Sequence, residues 1–253
     1  MLINANSVIG CRIAASDGDI GSIRDILFDD HAWTCRWLVL DTGNWLRKRL
    51  VLVPTDFIDK ADTDAGRITV RTDRQAIEAG PHPDRHEPVS RKMERVLLEH
   101  YRLEPYWRLW PYYPSTPDDA ERPAQSDMTE KWDIAATAER TEEDTHLRSV
   151  NEVDGYAIAA SDGDIGHLED LILDEDGFAI RYIVVDTKNW WPGKKCLLLP
   201  RSIRAISWST NQASVDLTRK QIKDAPEYDP GVPIDRLFEK RFFNYLQFTP
   251  YWL

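Results

Sequence analysis

Short apolar runs separated by turn-forming residues recur along the chain. The runs TCRWLVLD (34–41) and AIRYIVVD (179–186) are rich in β-branched and aromatic residues, which is typical of central strands. The runs RLVLVP (49–54) and KCLLLP (195–200) indicate further strands, each of which a proline would end. The pattern therefore predicts several short strands in each half of the chain.

Each half ends in a helical pattern after these strands. Apolar residues recur there at the spacing of one helical face, as in an amphipathic helix. The two stripes consist of Met93, Val96, Leu97 and Tyr101 in the first half and Phe238, Phe242 and Leu246 in the second. We expect a mainly β fold, in which each half forms a small antiparallel β-barrel followed by a C-terminal helix.

An internal repeat explains why the two halves share these patterns. The octapeptide AASDGDIG occurs at residues 14–21 and again, letter for letter, at residues 159–166. A shift of 145 positions (159 − 14) aligns residues 10–45 with residues 155–190, and 18 of these 36 positions are identical. Such self-similarity indicates a duplicated structural unit.

The same shift also aligns the two helical tails, RKMERVLLEHYRLEPYW (91–107) and RLFEKRFFNYLQFTPYW (236–252). The chain therefore divides into a first copy at residues 1–107 and a second copy at residues 146–253. The segment between them, residues 108–145, is rich in proline, serine, threonine and acidic residues, so we expect a mostly irregular linker.

The ordered motifs of each copy resemble those of the PRC-barrel family. The pattern G-x-x-[IV]-x-x-x-D-G-x-[IV]-G occurs as GCRIAASDGDIG and as GYAIAASDGDIG. An aspartate pair follows in each copy, and then the strand ends LVLDTGNW and IVVDTKNW and the runs LVLVP and LLLP. The resemblance covers both copies and leaves out only the linker.

This resemblance implies a small β-barrel module that acts as a platform for protein interactions and is not generally catalytic. The family forms the cytoplasmic part of the photosynthetic reaction-centre H subunit and the carboxy-terminal part of a ribosome-maturation factor. It also occurs in many free-standing bacterial proteins of uncharacterised function. The present sequence has no counterpart of the H subunit's membrane helix or of the maturation factor's other domain.

The charge, the hydropathy and the cysteines of the chain indicate which partners and which compartment to expect. The formal net charge is −11 and the isoelectric point is about 5.0, so the long-range field repels nucleic acid. No run approaches the roughly 18–20 apolar residues that span a bilayer, and no signal-peptide pattern opens the sequence. The three cysteines, Cys11, Cys35 and Cys196, are scattered and odd in number, which suits a reducing compartment. We expect a cytoplasmic protein without a membrane span or a nucleic-acid partner.

The repeated octapeptide could be a metal-binding loop or a hairpin corner. It contains Asp17 and Asp19 near a glycine, but the sequence lacks the full spacing of a calcium loop with its late glutamate. The dipeptide Asp17-Gly18 is favoured in tight hairpin turns, because both residue types tolerate positive φ. The hairpin is therefore the favoured interpretation, and we expect no metal site.

Other candidate catalytic groups are also weak. Asp25 and Asp29 lie four residues apart, as do Asp170 and Asp174, which places each pair about 13 Å apart along a strand. That distance exceeds the carboxylate separation of glycosidases, so bonds to nearby backbone groups are the favoured interpretation. The histidines lack the spacing of a zinc site. We expect no catalytic residue and no cofactor.

Aromatic residues at two repeated places are the candidates for binding a protein partner. An aspartate, an asparagine and a tryptophan follow the central strand of each copy, and a Tyr-Trp pair ends each copy after a proline. Tryptophan and tyrosine are enriched at interfaces, whereas the alternative is that the terminal pairs attach the helix to the barrel inside each copy. The interaction candidates are Asp41, Asn44, Trp45, Tyr106, Trp107, Asp186, Asn189, Trp190, Trp191, Tyr251 and Trp252.

The sequence as a whole indicates a non-enzymatic module for protein interaction or assembly. One alternative is a peripheral accessory of a membrane electron-transfer or photosynthetic complex, and another is a small-molecule sensor. We expect the two copies to form a pseudo-dimer within one chain, related by an approximate two-fold axis, with further homo-oligomerisation left open. Because Phe238, Phe242, Phe243 and Phe248 replace smaller residues of the first copy, the second tail has more apolar area, and we also expect the helical tails to join the two copies.

Overall fold

The computed structural model describes residues 1–43, 50–81, 89–108, 147–187 and 194–253. The interaction candidates Asn44, Trp45, Asn189, Trp190 and Trp191, and nearly all of the linker expected at 108–145, lie outside the described residues.

Within the residues that the structure describes, the first copy contains seven strands and three α-helices. The strands are β1 (Leu2–Asn4), β2 (Arg12–Ala15), β3 (Gly18–Asp29), β4 (Thr34–Asp41), β5 (Leu50–Pro54), β6 (Ile58–Asp62) and β7 (Arg67–Val70). The helices are α1 (Ala5–Val8), α2 (Arg74–Glu78) and α3 (Arg91–Tyr101).

The second copy repeats this order of elements. Its strands are β8 (Leu147–Ser149), β9 (Ala157–Ala160), β10 (Gly163–Asp174), β11 (Ile180–Asp186), β12 (Lys195–Leu198), β13 (Ile203–Ser207) and β14 (Gln212–Val215). Its helices are α4 (Val150–Val153), α5 (Arg219–Asp224) and α6 (Arg236–Leu246). The expectation of a mainly β fold with a duplicated unit and a helical tail is confirmed.

The two sheets share one topology. The first runs β5-β4-β3-β2-β7-β6 and the second runs β12-β11-β10-β9-β14-β13. The expectation of purely antiparallel sheets is wrong at one pairing in each sheet, because β2 pairs with β7, and β9 with β14, in parallel. The chain passes through four intervening strands before it returns beside β2, which allows it to run in the same direction. The strand order gives an open path in both sheets, so closure into a barrel stays a prediction.

The leading strand of each copy belongs to the sheet of the other copy. Strand β1 pairs with β10 in the register Leu2↔Asp174 to Asn4↔Ile172. Strand β8 pairs with β3 in the equivalent register, Asp29↔Leu147 to Leu27↔Ser149. Each seven-stranded sheet therefore contains six strands of one copy and one strand of the other. The hydrogen-bonded units differ from the sequence repeats by these exchanged segments.

A second reciprocal contact joins the hairpins between β3 and β4 and between β10 and β11. The amide of Cys35 donates to the carbonyl oxygen of Phe178 at 2.9 Å, and the amide of Ile180 donates to that of Trp33 at 2.7 Å. The shift of 145 maps Cys35 onto Ile180 and Trp33 onto Phe178. Each hydrogen bond is therefore the equivalent of the other with the two copies interchanged. Such isologous pairing is what a two-fold relation between two units produces.

The hydrophobic core is continuous across the two units. One cluster of buried side chains includes Ile13 and Ile26 of the first copy together with Leu171 and Ile183 of the second. A contiguous core is the usual sign of one cooperative folding domain. The pseudo-dimer therefore has its main contact at the strand exchange and in this shared core.

The helical tails pack on the outer faces of the two sheets, where each also contacts one residue of the exchanged strand, Leu147 under α3 and Leu2 under α6. The expectation that the tails are the joint between the copies is wrong, because the main contact lies at the strand exchange and in the shared core. Leu97 and Leu98 of α3 lie in a cluster with Trp37 of β4, and Phe242 and Phe243 of α6 lie in a cluster with Tyr182 of β11. Alternate residues of a strand face opposite sides of the sheet. Strands β4 and β11 are apolar on both faces. The tail of each copy therefore covers the outer apolar face of its sheet.

Candidate interaction sites

The repeated octapeptide forms the hairpin between β2 and β3 and anchors a helix to it. Ala15 pairs with Gly18 across the turn, and the Asp17 carboxylate accepts a hydrogen bond from the amide of Arg74 at the start of α2, at 2.9 Å. In the second copy, Asp162 accepts from the amide of Arg219 at 2.7 Å. The octapeptide is thus a structural corner in both copies.

Two glycines of this corner meet separate geometric needs. Gly18 has φ 143°, whereas Asp17 is not among the residues with positive φ, so only the glycine of this turn adopts the conformation that both residue types tolerate. A Cβ atom at Gly21 would lie 2.1 Å from the carbonyl oxygen of Asp41, and one at Gly166 would lie 1.9 Å from that of Asp186. Only glycine permits this close approach of the two backbones.

The corner therefore lies beside the strand ends that contain two of the interaction candidates. Asp41 is exposed and accepts a hydrogen bond from the amide of Gly43 at 2.8 Å. Asp186 is half-buried, and the next residue, Thr187, is buried and donates to the carbonyl oxygen of Lys194 at 2.6 Å. These contacts fix the two strand ends at Asp41 and Asp186.

A buried glutamate holds the Tyr-Trp pair of the first tail. The chain reverses after α3 through Arg102, whose φ is 57°, and returns toward the start of the helix. The hydroxyl of Tyr106 then donates to Glu94 Oε1 at 2.7 Å, and Trp37 Nε1 donates to the same oxygen at 2.9 Å. Glu94 has no exposed surface.

The second tail has the same arrangement at equivalent positions. Tyr251 and Tyr182 donate their hydroxyls to Glu239 Oε1 at 2.8 and 3.0 Å. Burial and the adjacent carboxylate raise the pKa of Tyr251 above its usual value, and the same two causes raise the pKa of Tyr106. The phenols therefore stay protonated at neutral pH and act as hydrogen-bond donors.

Arginine side chains cover the aromatic rings of both tails. The guanidinium carbon of Arg36 lies 3.9 Å from the ring centre of Tyr106, and that of Arg91 lies 4.3 Å from Trp107. In the second tail, the corresponding contacts are Arg181 with Tyr251 at 3.9 Å and Arg236 with Trp252 at 4.0 Å. Contacts of this kind are attractive cation–π pairs.

The four terminal aromatic residues are therefore half-buried anchors of their own tails. Trp107 packs beside the cluster under α3, and Trp252 makes an edge contact with Phe243 at 5.2 Å between ring centres. This geometry supports the internal interpretation of the Tyr-Trp pairs. Their outer edges still reach the surface, so their role toward a partner stays a prediction.

One acidic group lies at the contact between the two copies. Ligand atoms of Asp29, Asp30 and His31 lie within 4.8 Å of one another. Asp30 Oδ2 accepts from Arg148 Nε of the other copy at 3.1 Å, and the ring of His31 lies 2.6 Å from Asp30 Oδ1. Burial opposes ionisation, but the hydrogen bonds from His31 and Arg148 outweigh it and lower the pKa of Asp30. The contact with Arg148 thus ties this group to the other copy.

The cysteine thiols are protonated at neutral pH. All three are buried, and burial raises the pKa of Cys196 to about 12 and that of Cys35 further. A thiol becomes a good nucleophile only as the thiolate.

Comparison with known families identifies the first unit. The family model described as the PRC-barrel domain matches residues 1–77. The chain contains a PRC-barrel domain. The second half, with its octapeptide, its strand order and its tail at equivalent positions, supports a tandem arrangement of two such units. Comparison with curated proteins gives no match for the chain.

No helix among the described residues combines the length and apolar character needed to cross a bilayer.

The second unit has an apolar cleft that two residues of the first unit help to line. Phe28 and Trp33, from the end of β3 and the turn before β4, line it together with Tyr156 and Trp208. Its enclosed space is about the size of one water molecule, so it is smaller than a site for a drug-sized ligand.

Sequence reasoning missed the structural role of Glu94 and Glu239 as buried hydrogen-bond acceptors. The two residues are identical at the shift of 145, although the apolar residues around them change from Met93 to Phe238 and from Leu97 to Phe242. The glutamate is the same in both copies although its apolar neighbours differ. This difference was the signal in the sequence for a buried polar contact.

Proposed function

We propose that this protein is a non-enzymatic assembly module in which two PRC-type units present a shared surface to a protein partner. The observation that carries this proposal is the reciprocal exchange of β1 and β8. Each unit completes its sheet with a strand from the other unit. Strand addition at a sheet edge is a general mode of protein recognition.

The proposed contact surface lies at the ends of β4 and β11. The corner glycines hold Asp41 and Asp186 close to the hairpin backbone, which gives both strand ends a fixed position. The residues that follow are Asn44 and Trp45 in the first unit and Asn189, Trp190 and Trp191 in the second. Tryptophan is enriched among the anchor residues of interfaces.

The non-enzymatic part of the proposal is supported by what the buried carboxylates do. Glu94 and Glu239 each accept hydrogen bonds from two aromatic side chains, and Asp30 is paired with Arg148. The net charge of −11 favours a partner with a basic surface and disfavours nucleic acid. The buried thiols support a reducing compartment, so we place the protein in the cytoplasm.

Affinity capture with the full chain tests the proposal. Wild-type protein is compared with a Trp45→Ala/Trp190→Ala variant and with a Val96→Ala/Leu237→Ala variant, whose two positions are exposed on α3 and α6. Extract of the native cell is divided into soluble and membrane fractions before capture. We expect a protein that the wild type and the helix variant retain and the tryptophan variant loses. Failure of the wild type to enrich any protein over bare resin would contradict the proposal.

Two other functions are outcomes of the same comparison. Enrichment of a pigment-containing or electron-transfer complex from the membrane fraction would favour a peripheral accessory of that complex. A small-molecule sensor is the other alternative, and the size of the cleft beside Trp33, about one water molecule, disfavours it. Co-purification of a small apolar molecule that a Trp33→Ala variant loses would support that role.

A further inference from the structure

The two exchanged segments share a sequence pattern. LINANSV at residues 2–8 and LRSVNEV at residues 147–153 both begin with leucine, have asparagine at the fifth position and end with valine. The third position is Asn4 in one segment and Ser149 in the other, and both side chains can donate a hydrogen bond. We refer to residues 2–8 and 147–153 as the donor segments.

The sheet edge that receives each donor segment contains a β-bulge at the same place. The register of β10 shifts between Leu168 and Asp170, so Glu169 is left out of the ladder with β11. The carbonyl oxygen of Glu169 instead accepts a hydrogen bond from the side-chain amide of Asn6 at 3.1 Å. A bulge commonly turns a backbone group away from its ladder in this manner.

The bulge of β3 has the same role in the other unit. The register there shifts between Ile23 and Asp25. The carbonyl oxygen of Arg24 accepts from the side-chain amide of Asn151 at 3.0 Å. The asparagine at the fifth position of each donor segment thus donates its side-chain amide to a carbonyl oxygen at the bulge.

An aspartate beside each bulge accepts hydrogen bonds from two further donor groups of the segment. Asp170 Oδ2 accepts from the Asn4 side chain at 2.8 Å, and Asp170 Oδ1 accepts from the amide of Asn6 at 3.1 Å. Asp25 accepts in the same way from the Ser149 hydroxyl and from the amide of Asn151. The third and fifth positions of a donor segment therefore both contact one carboxylate.

Apolar contacts fix the remaining positions of the pattern. Val8 and Val153, at the seventh position, are buried in the central core. Leu147 is buried in the cluster under α3, and Leu2 packs beside the cluster under α6. The first and seventh positions therefore anchor the two ends of the segment.

We propose that each bulged edge is a peptide-binding site that recognises the pattern Leu-x-(Asn/Ser)-x-Asn-x-Val. We further propose that the donor segment of a second copy of this chain can occupy the site in trans. All the contacts described above are made by side chains and amides of the segment itself, so none depends on how the segment is linked to its own unit. The site is distinct from the proposed partner surface at the ends of β4 and β11.

A chain that lacks residues 1–9 exposes the site on β10 and allows a direct test. A peptide of residues 2–9 with blocked ends is titrated into it by calorimetry. The matched control peptide has the substitutions Asn4→Ala and Asn6→Ala, which remove two donors and keep Leu2 and Val8. We expect the first peptide to raise the melting temperature and to bind at least about 10-fold more tightly than the control. Equal affinities, or no binding to a folded chain, would overturn the proposal.

The intact chain gives a second test that does not depend on the folding of the shortened one. The substitutions Asn4→Ala and Asn6→Ala weaken the internal donor segment, and a labelled peptide of residues 2–9 is then added below the unfolding temperature. We expect this chain to take up the label and a chain with the further substitution Asp170→Ala to take up much less. Absence of uptake, or uptake that is the same in both chains, would contradict the proposal. Both tests use purified components, so they are independent of whether cell extract yields a partner.

Discussion

The carboxylate of Asp25 accepts a hydrogen bond from the hydroxyl of Ser149, which lies 124 residues later in the chain. The equivalent carboxylate of the second unit, Asp170, accepts from Asn4 of the first. These two contacts bind the exchanged strands to their receiving sheets. They make the two PRC-type units parts of one structure, because neither sheet is complete without the other copy.

Replacement of Asp25 by alanine tests this dependence. The change leaves the Ser149 hydroxyl and the Asn151 amide without their acceptor, so we expect a loss of about 1–3 kcal/mol in the free energy of unfolding. Because the core is continuous, chemical denaturation should still show one transition. The control is Asp19→Ala, which removes an exposed ion pair with Arg67 and should change the stability by less than about 1 kcal/mol. Two separate transitions in the wild type would contradict the shared core.

The close approach at Gly21 predicts a strong effect of a single methyl group. In Gly21→Ala, the new Cβ would collide with the carbonyl oxygen of Asp41, so β3 and β4 must separate locally. We expect a loss of about 1–3 kcal/mol in the free energy of unfolding. Gly177→Ala is the matched control, because a Cβ there meets no atom within 4 Å and the residue does not have positive φ. Equal stabilities of the two variants would show that the corner tolerates a side chain.

The buried Glu94 predicts that the tail depends on a polar contact as well as on apolar packing. Glu94→Ala removes the acceptor of Trp37 and Tyr106 and leaves the buried Arg91 without its nearest carboxylate, 3.9 Å away. We expect a loss of about 3–5 kcal/mol in the free energy of unfolding. The control is Glu99→Ala, an exposed position of the same helix, which should change it by less than about 0.5 kcal/mol. A small effect of Glu94→Ala on both the free energy of unfolding and the intrinsic tryptophan fluorescence would contradict the arrangement.

The pH dependence of stability provides a test of the two receiving carboxylates. Burial raises the pKa of Asp25 and of Asp170 above the reference value of 3.8, although their hydrogen bonds oppose the shift. The folded state then binds protons more tightly than the unfolded state. These two groups therefore add stability as the pH falls from neutral through their folded pKa values toward 3.8.

This contribution is isolated by comparison with an Asp25→Asn/Asp170→Asn variant. Urea unfolding is measured for both proteins between pH 7 and about pH 4. We expect the free energy of unfolding of the wild type to rise relative to that of the variant as the pH falls. A difference that stays constant, or that moves in the opposite direction, would show that the two carboxylates are not desolvated in the exchange.

The sequence predicted which strands and helices form better than it predicted which of them pack or pair together. The apolar run at 34–41 correctly indicated a central strand, but its apolar residues on both faces also meant that the outer face needed a cover. That cover is the tail of the same copy. The prediction that Phe242 and the tails join the two copies failed because it ignored this outer face; the cluster of Phe242 contacts the other copy only through Leu2.

The exchange of strands could not be read from the repeat. Because the two copies have the same pattern, Leu2 would find an aspartate opposite it at Asp29 in its own sheet as well as at Asp174 in the other. The two pairings satisfy the same sequence pattern, so only the three-dimensional path of the chain distinguishes them. The role of Asp25 was also predicted incompletely, since it bonds to backbone as expected but to a segment of the other copy as well.

Disulfide trapping tests the exchange most directly. Antiparallel partners have Cα atoms about 4.5–5.5 Å apart, which lies within the range that a disulfide can bridge. Leu2→Cys is combined with Asp174→Cys in one protein and with Asp29→Cys in the other, and both are oxidised at low concentration. The account predicts a disulfide within the monomer for the pair at residues 2 and 174 and none for the pair at residues 2 and 29. A disulfide between residues 2 and 29 alone would show that each leading strand stays in its own sheet and would contradict the exchange.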